Sequence, residues 1–262
     1  MENIPRKADF PILAMNKKLF TIALLLCAGA PLLGQAPGSL SADEIVSRMF
    51  ARDTMRQTMA GGYNGKREYI LENHRLNKRA QMEVSVSCDA DGTKHFEILS
   101  EEGWKAANNH VIRKMLESES EFSRPDSSMK TRLVPQNYEF QLVGSESVEG
   151  RPAYVLEVLP KRSDKYLFRG RIWVDAEEYA VVRVDGQPAK NPSFWTHSVH
   201  FQQKSEKNGT FWFPASTTSV TEARIFGTTE VSIRYFDYKP AANSPQGGGT
   251  SSLPLEAHYV QH

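Results

Sequence analysis

From Lys66 onward, apolar side chains recur at every second position along most of the chain. In "AQMEVSVSC", Met82, Val84, Val86 and Cys88 share one phase, while Gln81, Glu83, Ser85 and Ser87 share the other. That alternation predicts a half-buried strand with one wet face. "DADG" (Asp89 to Gly92) supplies a turn and "TKHFEILS" returns. It lacks the later ligands and closing glutamate of a calcium loop. Further strands succeed one another after Asn137: "YEFQLVG", "PAYVLEVLP", "YLFRGRIWVD", "YAVVRVDG", "WTHSVHFQQK", "FWFPASTTSVTEA" and "TEVSIRYFDYK". Turn signals such as "SVEGR", "DAEE", "EKNGT" and "IFG" separate most of them. No stretch alternates strand with helix, which speaks against a parallel, doubly wound sheet.

Two segments carry the helical period instead. Ser41-Ala42-Asp43-Glu44 forms a capping box, in which the serine and the glutamate three residues on satisfy each other's backbone N–H. Ile45, Val46, Met49 and Phe50 follow at helical spacing, and "GGYNG" (Gly61 to Gly65) stops the run. A helix from about Ser41 to about Met59 results. Between about Gly103 and Glu121, Trp104, Ala107, Val111, Met115 and Leu116 recur at three- and four-residue steps. The expected fold class is therefore α+β: a curved antiparallel sheet of about ten strands, an incomplete β-barrel, covered by two or more helices. A sheet curled around two helices encloses either a packed core or an apolar cavity.

The ends differ from this middle. Arg6, Lys7, Lys17 and Lys18 precede "LFTIALLLCAGAPLLG", and "GQA" offers small residues at a cleavage position. That order predicts a secretory signal peptide over residues 1–36. Residues 37–240 make the domain, and 241–262 begin "AANSPQGGGTSSLP", the composition of a flexible tail. With the leader removed, Cys88 is the sole cysteine, so no intramolecular disulfide forms. An exported chain without disulfides points to a bacterial envelope compartment, the periplasm. Charge is balanced at 32 basic against 31 acidic residues, which leaves no electrostatic footprint for nucleic acid.

No motif announces chemistry. The chain contains no "GxSxG" elbow and no phosphate loop between a strand and a helix. His197 and His200 are three apart within a strand, hence on opposite faces. Cys88 shares the apolar phase, where burial raises a thiol's pKa and keeps it inert. Glu97, Asp175 and Asp185 are acids that could converge, but nothing in their spacing selects them. We therefore expect no catalytic residue, no metal site and no cofactor. The aromatic residues exceed what one phase of a core requires: Trp173 is out of phase with Ile172 and Val174, and Trp212 stands between two phenylalanines. An apolar groove is the reading of that excess. Its expected lining is Met82, Val84, Val86, Phe96, Ile172, Val174, Val182, Val184 and Trp212.

"RGRIWVDAEEYAVVRVDG" (Arg169 to Gly186) looks at first like a charged active site. Phase analysis makes it a hairpin. Ile172 and Val174 share one face; Ala180, Val182 and Val184 share one face of the return strand. The acids of "DAEE" fall in the turn, and Arg183 is placed to pair with Asp175 across the strands.

The succession "LSADEIVSRM", "GRPAYVLEVLPK", "GRIWVDAEEYAVVRVDG" and "SVHFQQKSEKNGTFWFPAS", with Gly209, Phe211, Trp212 and Pro214 in the last, resembles the LolA/LolB-like superfamily of periplasmic lipoprotein-sorting proteins over about residues 41 to 238. The resemblance implies an open barrel closed by helices, with lipid or lipoprotein acyl chains as ligand and peripheral contact with a membrane. It also implies a sheet arginine that latches the lid; Arg67, Arg75 and Arg79 lie in the right region. An envelope protein bound through the same sheet, as in an envelope-stress sensor, is the alternative partner.

Overall fold

The computed structural model describes residues 40–59, 61–192, 196–209, 211–225 and 227–241. The expected signal peptide and the tail beyond Ala241 lie outside them. Helix α1 spans Ala42–Met59. Strands β1 (Tyr63–Asn73), β2 (Lys78–Cys88) and β3 (Lys94–Gly103) follow. A helical segment comes next: α2 (Lys105–Ala107), a π turn (Asn108–Ile112), α3 (Arg113–Ser123) and α4 (Pro125–Ser128). Seven more strands complete the domain: β4 (Tyr138–Val148), β5 (Arg151–Pro160), β6 (Phe168–Asp175), β7 (Val181–Pro188), β8 (Thr196–Asn208), β9 (Phe211–Ala223) and β10 (Gly227–Pro240).

The capping box forms as its sequence predicts. Ser41 N donates to Glu44 Oε2 at 2.9 Å, and Glu44 N donates to Ser41 Oγ at 3.2 Å. These bonds hold the Glu44 carboxyl below its ordinary pKa.

The ten strands form one antiparallel sheet in the order β3-β2-β1-β10-β9-β8-β7-β6-β5-β4. Every neighbour is consecutive in sequence except β1 and β10, which zip the two arms together. The edges are β3 and β4, which do not pair, so the barrel stays open. The same two strands are joined in sequence by the segment 104–137. That segment therefore has to travel from one edge of the sheet to the other.

Register shows how continuous the helix-covered inner face is. One row of directly opposed residues runs Met82, Tyr69, Ile233, Thr217, Gln203, Val184, Ile172, Leu156 and Leu142. The neighbouring row crosses all ten strands: Gly103, Ala80, Leu71, Val231, Ser219, Phe201, Gly186, Gly170, Val158 and Phe140. Both rows are apolar at their flanks and polar on β9.

Three buried clusters result. In the first, Ala107, Val111, Ile112, Met115 and Leu116 of the crossover pack on β1, β2 and β10. In the second, Ile45, Val46 and Met49 of α1 pack on β4 to β8. The third lies on the outer face of β5 and β6 and holds Ala153, Val155, Trp173, Ala180, Val182 and Trp212. Strand β6 is thus buried on both sides from Ile172 to Asp175.

The π turn has a packing reason. The crossover buries residues 107, 111, 115 and 119, a steady four-residue step. Four residues overshoot one α-helical turn, so such a stripe would drift around the helix. One wider turn takes up the excess and keeps Ala107 and Val111 in line with Met115 and Glu119.

Candidate functional site

The inner face and its helical cover form the candidate site. Of the residues expected to line a groove, Met82, Val84 and Val86 lie in the first cluster with Phe96 packed against it. Ile172, Val174 and Val184 lie in the second. These two clusters share the inner face. Val182 and Trp212 do not join them; both sit in the third cluster, on the other side of the sheet.

The cause for Val182 is a bulge. Trp173 faces Arg183 but Val174 faces Val181, so Val182 has no partner on β6 and leaves the phase of Val184. The expectation that Val182 and Val184 share a face is corrected accordingly. Trp212 lies between Phe211 and Phe213, which take the inner side, so alternation turns it outward, and there its Nε1 donates to Glu178 Oε2 at 2.7 Å.

That turn also corrects the expected Arg183–Asp175 pair. Asp175 is buried and is gripped by Arg151 instead, Nε to Oδ2 at 2.6 Å and Nη2 to Oδ1 at 3.1 Å. Its Oδ1 further accepts the backbone N–H of Glu177 and Glu178. Burial alone would raise the carboxyl's pKa, but these bonds outweigh it and hold the group below its ordinary value. Arg183 lies instead 3.6 Å from Asp185 and over the Trp173 ring. Asp175, Asp185 and Glu97 occupy the phase opposite the inner face, and Asp175 is tied to the turn.

Between the first cluster and the crossover lies a charged group that the period-two pattern conceals. Arg67, Lys94 and Glu119 are 3%, 2% and 4% exposed. Arg67 Nη1 and Nη2 donate to the two oxygens of Glu119 at 2.5 and 2.8 Å, and Lys94 Nζ donates to Oε1 at 2.7 Å. Arg67 also reaches the Tyr69 hydroxyl at 3.1 Å and lies over the Phe96 and Tyr235 rings. Burial works against the guanidinium charge, yet Glu119 overrides it and holds the group well above its ordinary pKa. The edge strand joins in, since Lys94 N donates to Ser123 Oγ and Ser120 Oγ donates to the Lys94 carbonyl. The helix of the crossover is thereby tied to β1 and β3 through one carboxylate.

Of the three arginines that sequence left open, Arg67 alone enters this group. Arg75 donates to the Ile225 carbonyl and Arg79 pairs with Glu72 at the surface. The signal for Arg67 was its phase: it alternates with Tyr69 and Leu71, on the buried side of β1. Glu119 likewise follows Met115 by four residues on the buried stripe of α3.

On β9, Thr217, Ser219 and Thr221 point inward and are buried. Ser219 stands directly between Phe201 of the second cluster and Val231 of the first. Thr217 lies 3.1 Å from the Tyr235 hydroxyl and donates to Gln203 Oε1 at 3.4 Å. Ser219 Oγ and Thr221 Oγ1 are buried without a hydrogen-bond partner. Among the described residues no three His, Cys, Asp or Glu side chains are grouped to hold a metal ion. Among the same residues no helix is long and apolar enough to cross a membrane. Burial pushes the Cys88 thiol up to about 11.

Residues 135–238 match the model of a family of unknown function, DUF5686. No curated protein matches the chain. Among solved structures the chain is similar to a LolA superfamily protein from Nitrosomonas europaea, at 11% identity and a TM-score of 0.40, over 77% of this chain and 94% of that one. It is also similar to a DUF1329 family protein from Desulfovibrio piger, at 14% identity and a TM-score of 0.43, over 78% of this chain and 95% of that one.

Proposed function

We propose that this chain is a non-enzymatic carrier, exported to the bacterial envelope, that takes up lipid or lipoprotein acyl chains between the inner face of the sheet and its helical cover. The observation that supports it most directly is the crossover. It bridges the edges of an open sheet, presses apolar side chains onto the apolar inner face of β1, β2 and β10, and is tied down through a carboxylate shared by Arg67 and Lys94.

The magnitudes suit exchange. Val111, Ile112, Met115 and Leu116 are the large apolar side chains that the helical part of the crossover buries. At about 1.5–3 kcal/mol each, they hold it with roughly 6–12 kcal/mol, an upper estimate. An acyl chain recovers about 0.8 kcal/mol per CH₂, so one of about fourteen carbons returns roughly 11 kcal/mol. A ligand can therefore replace the crossover's contacts without a large net cost, and can leave again.

The test is to purify the exported protein, identify co-extracted lipid by mass spectrometry and titrate a fluorescent fatty-acid probe. Retained lipid and saturable probe binding are expected. A protein that retains none and leaves the probe unbound, yet crosslinks to one dominant envelope protein in cells, overturns the carrier reading.

A further inference from the structure

We propose that the hydroxyl seam of β9 recognises the ester carbonyls of a diacylglyceryl group, with Ser219 and Thr221 as the specificity-determining donors. This inference rests on the carrier reading and goes beyond it by naming what part of the ligand is read and by which residues.

The seam is set into the inner face where the two apolar clusters meet. Ser219 has Phe201 on one side and Val231 on the other; Thr221 has Val199 and Thr229. Phe201 and Val199 belong to the second cluster, and Val231 to the first. The neighbouring polar side chains are committed to one another. Thr217 bonds with Gln203 and Tyr235, and Thr229 accepts from Asn73 Nδ2 at 2.7 Å. Ser219 Oγ and Thr221 Oγ1 are the exceptions: they are 3% and 1% exposed by residue, and neither hydroxyl has a partner.

A buried hydroxyl without a partner costs about 1–3 kcal/mol, and native proteins leave few such groups unexplained. Two of them, two residues apart on one strand and facing one way, form a donor pair. The directly opposed residues Val199, Phe201, Thr229 and Val231 carry no charge, so the seam does not suit a phosphate or a carboxylate. A neutral acceptor flanked by apolar matter on both sides does suit it. The two ester carbonyls of a diacylglyceryl unit are such an acceptor pair, with acyl chains leading away into apolar surroundings. The same unit occurs in glycerophospholipids and in the lipid anchor of lipoproteins, and the seam reads what they share.

The experiment compares a diacyl glycerophospholipid with its dialkyl ether analogue, which lacks the carbonyls, by displacement of a fluorescent fatty-acid probe from the exported protein. Ester lipid is expected to bind about tenfold more tightly than ether lipid, the gain expected of two hydroxyl–carbonyl hydrogen bonds. The Ser219→Ala/Thr221→Val variant should bind both lipids alike, at the wild-type affinity for the ether. It loses only unpartnered hydroxyls, so it should melt no lower than wild type. A synthetic diacylglyceryl-cysteine peptide showing the same dependence on both residues assigns lipoprotein anchors as a ligand source; a phospholipid-only effect restricts the source to membrane lipid. Equal binding of ester and ether by wild type, or a preference that survives in the variant, overturns the inference while leaving the carrier reading intact. Failure of the probe itself to bind removes both.

Discussion

Arg67 on β1 and Glu119 on α3 meet in the dry space between sheet and crossover, with Nη2 donating to Oε1 at 2.8 Å. The pair joins β1, two strands in from the open edge β3, to helix α3 of the crossover. Lys94 shares the same carboxylate from the edge strand β3. Desolvating three charges is expensive, and their mutual attraction roughly offsets that cost. Such a group is a poor source of stability but a good means of fixing one position. In the proposed carrier it holds the crossover in one closed place, which apolar packing alone would define less sharply.

The first prediction follows from that balance. Glu119→Leu removes the carboxylate from two buried cations and should destabilise the domain by about 3–5 kcal/mol in urea unfolding. Arg67→Met/Lys94→Met/Glu119→Leu removes all three charges and should recover most of the loss. A triple variant no more stable than the single one would show that the group contributes net stability, contrary to this account.

Acid should act on the hairpin turn. The Asp175 carboxyl is held below its ordinary pKa by Arg151 and two backbone N–H groups, which outweigh its burial. In the window between its lowered folded value and its ordinary unfolded value, the unfolded chain binds more protons. Stability therefore rises with pH there, is fully present above about pH 5, and falls as pH drops through the folded pKa. Asp175→Asn should be less stable than wild type at pH 7, by about 1–3 kcal/mol. Its unfolding midpoint should also decline less between pH 5 and 3. Equal slopes for the two proteins would remove Asp175 from the acid response.

Cys88 supplies a third test. It lies on the inner phase of β2, and burial raises its thiol to about 11. In a Cys27→Ala chain, where it is the remaining thiol, reaction with a disulfide reagent at pH 8 should be slow and should become fast in denaturant. Rapid labelling of the native protein would place Cys88 in an open, wetted part of the face.

Much of this architecture was legible because its cause is local. Period-two runs such as Met82, Val84 and Val86 marked strands and their buried side, and Ser41 with Glu44 marked the start of α1. The antiparallel class followed from the lack of strand–helix alternation. What escaped depends on long-range pairing. The bulge at Val182 appears when β7 is laid against β6, and its neighbours Val181 and Val184 give no hint of it. The partner of Asp175 is Arg151 on β5, beyond the hairpin that sequence considered. Arg67 and Glu119 are 52 positions apart. Each sits on the apolar phase of its own element, a sign that can be read but that does not name the partner.

Two glycines face each other across β6 and β7 on the inner face of the sheet. Gly170 and Gly186 are directly opposed in the ten-strand row, between Val158 and Phe201. A Cβ at Gly170 would stand 2.1 Å from the Asp185 carbonyl oxygen and 2.6 Å from Gly186 Cα, both backbone atoms that cannot swing away. A Cβ at Gly186 would meet the Arg169 carbonyl oxygen at 2.8 Å and the edge of the Phe168 ring at 2.9 Å. The ring lies where a side chain at Gly186 would otherwise stand, and it packs on Phe201 at 5.6 Å between centroids. Overpacking costs about 1–3 kcal/mol where side chains can yield, and more where backbone must move. Gly170→Ala should therefore destabilise the domain more than Gly186→Ala, with the second falling in that range. Phe168→Leu combined with Gly186→Ala should cost less than the sum of the two single changes, since removing the ring relieves one of the clashes. Urea midpoints for the four variants decide it; strict additivity would mean that the ring and the glycine do not compete for the same space.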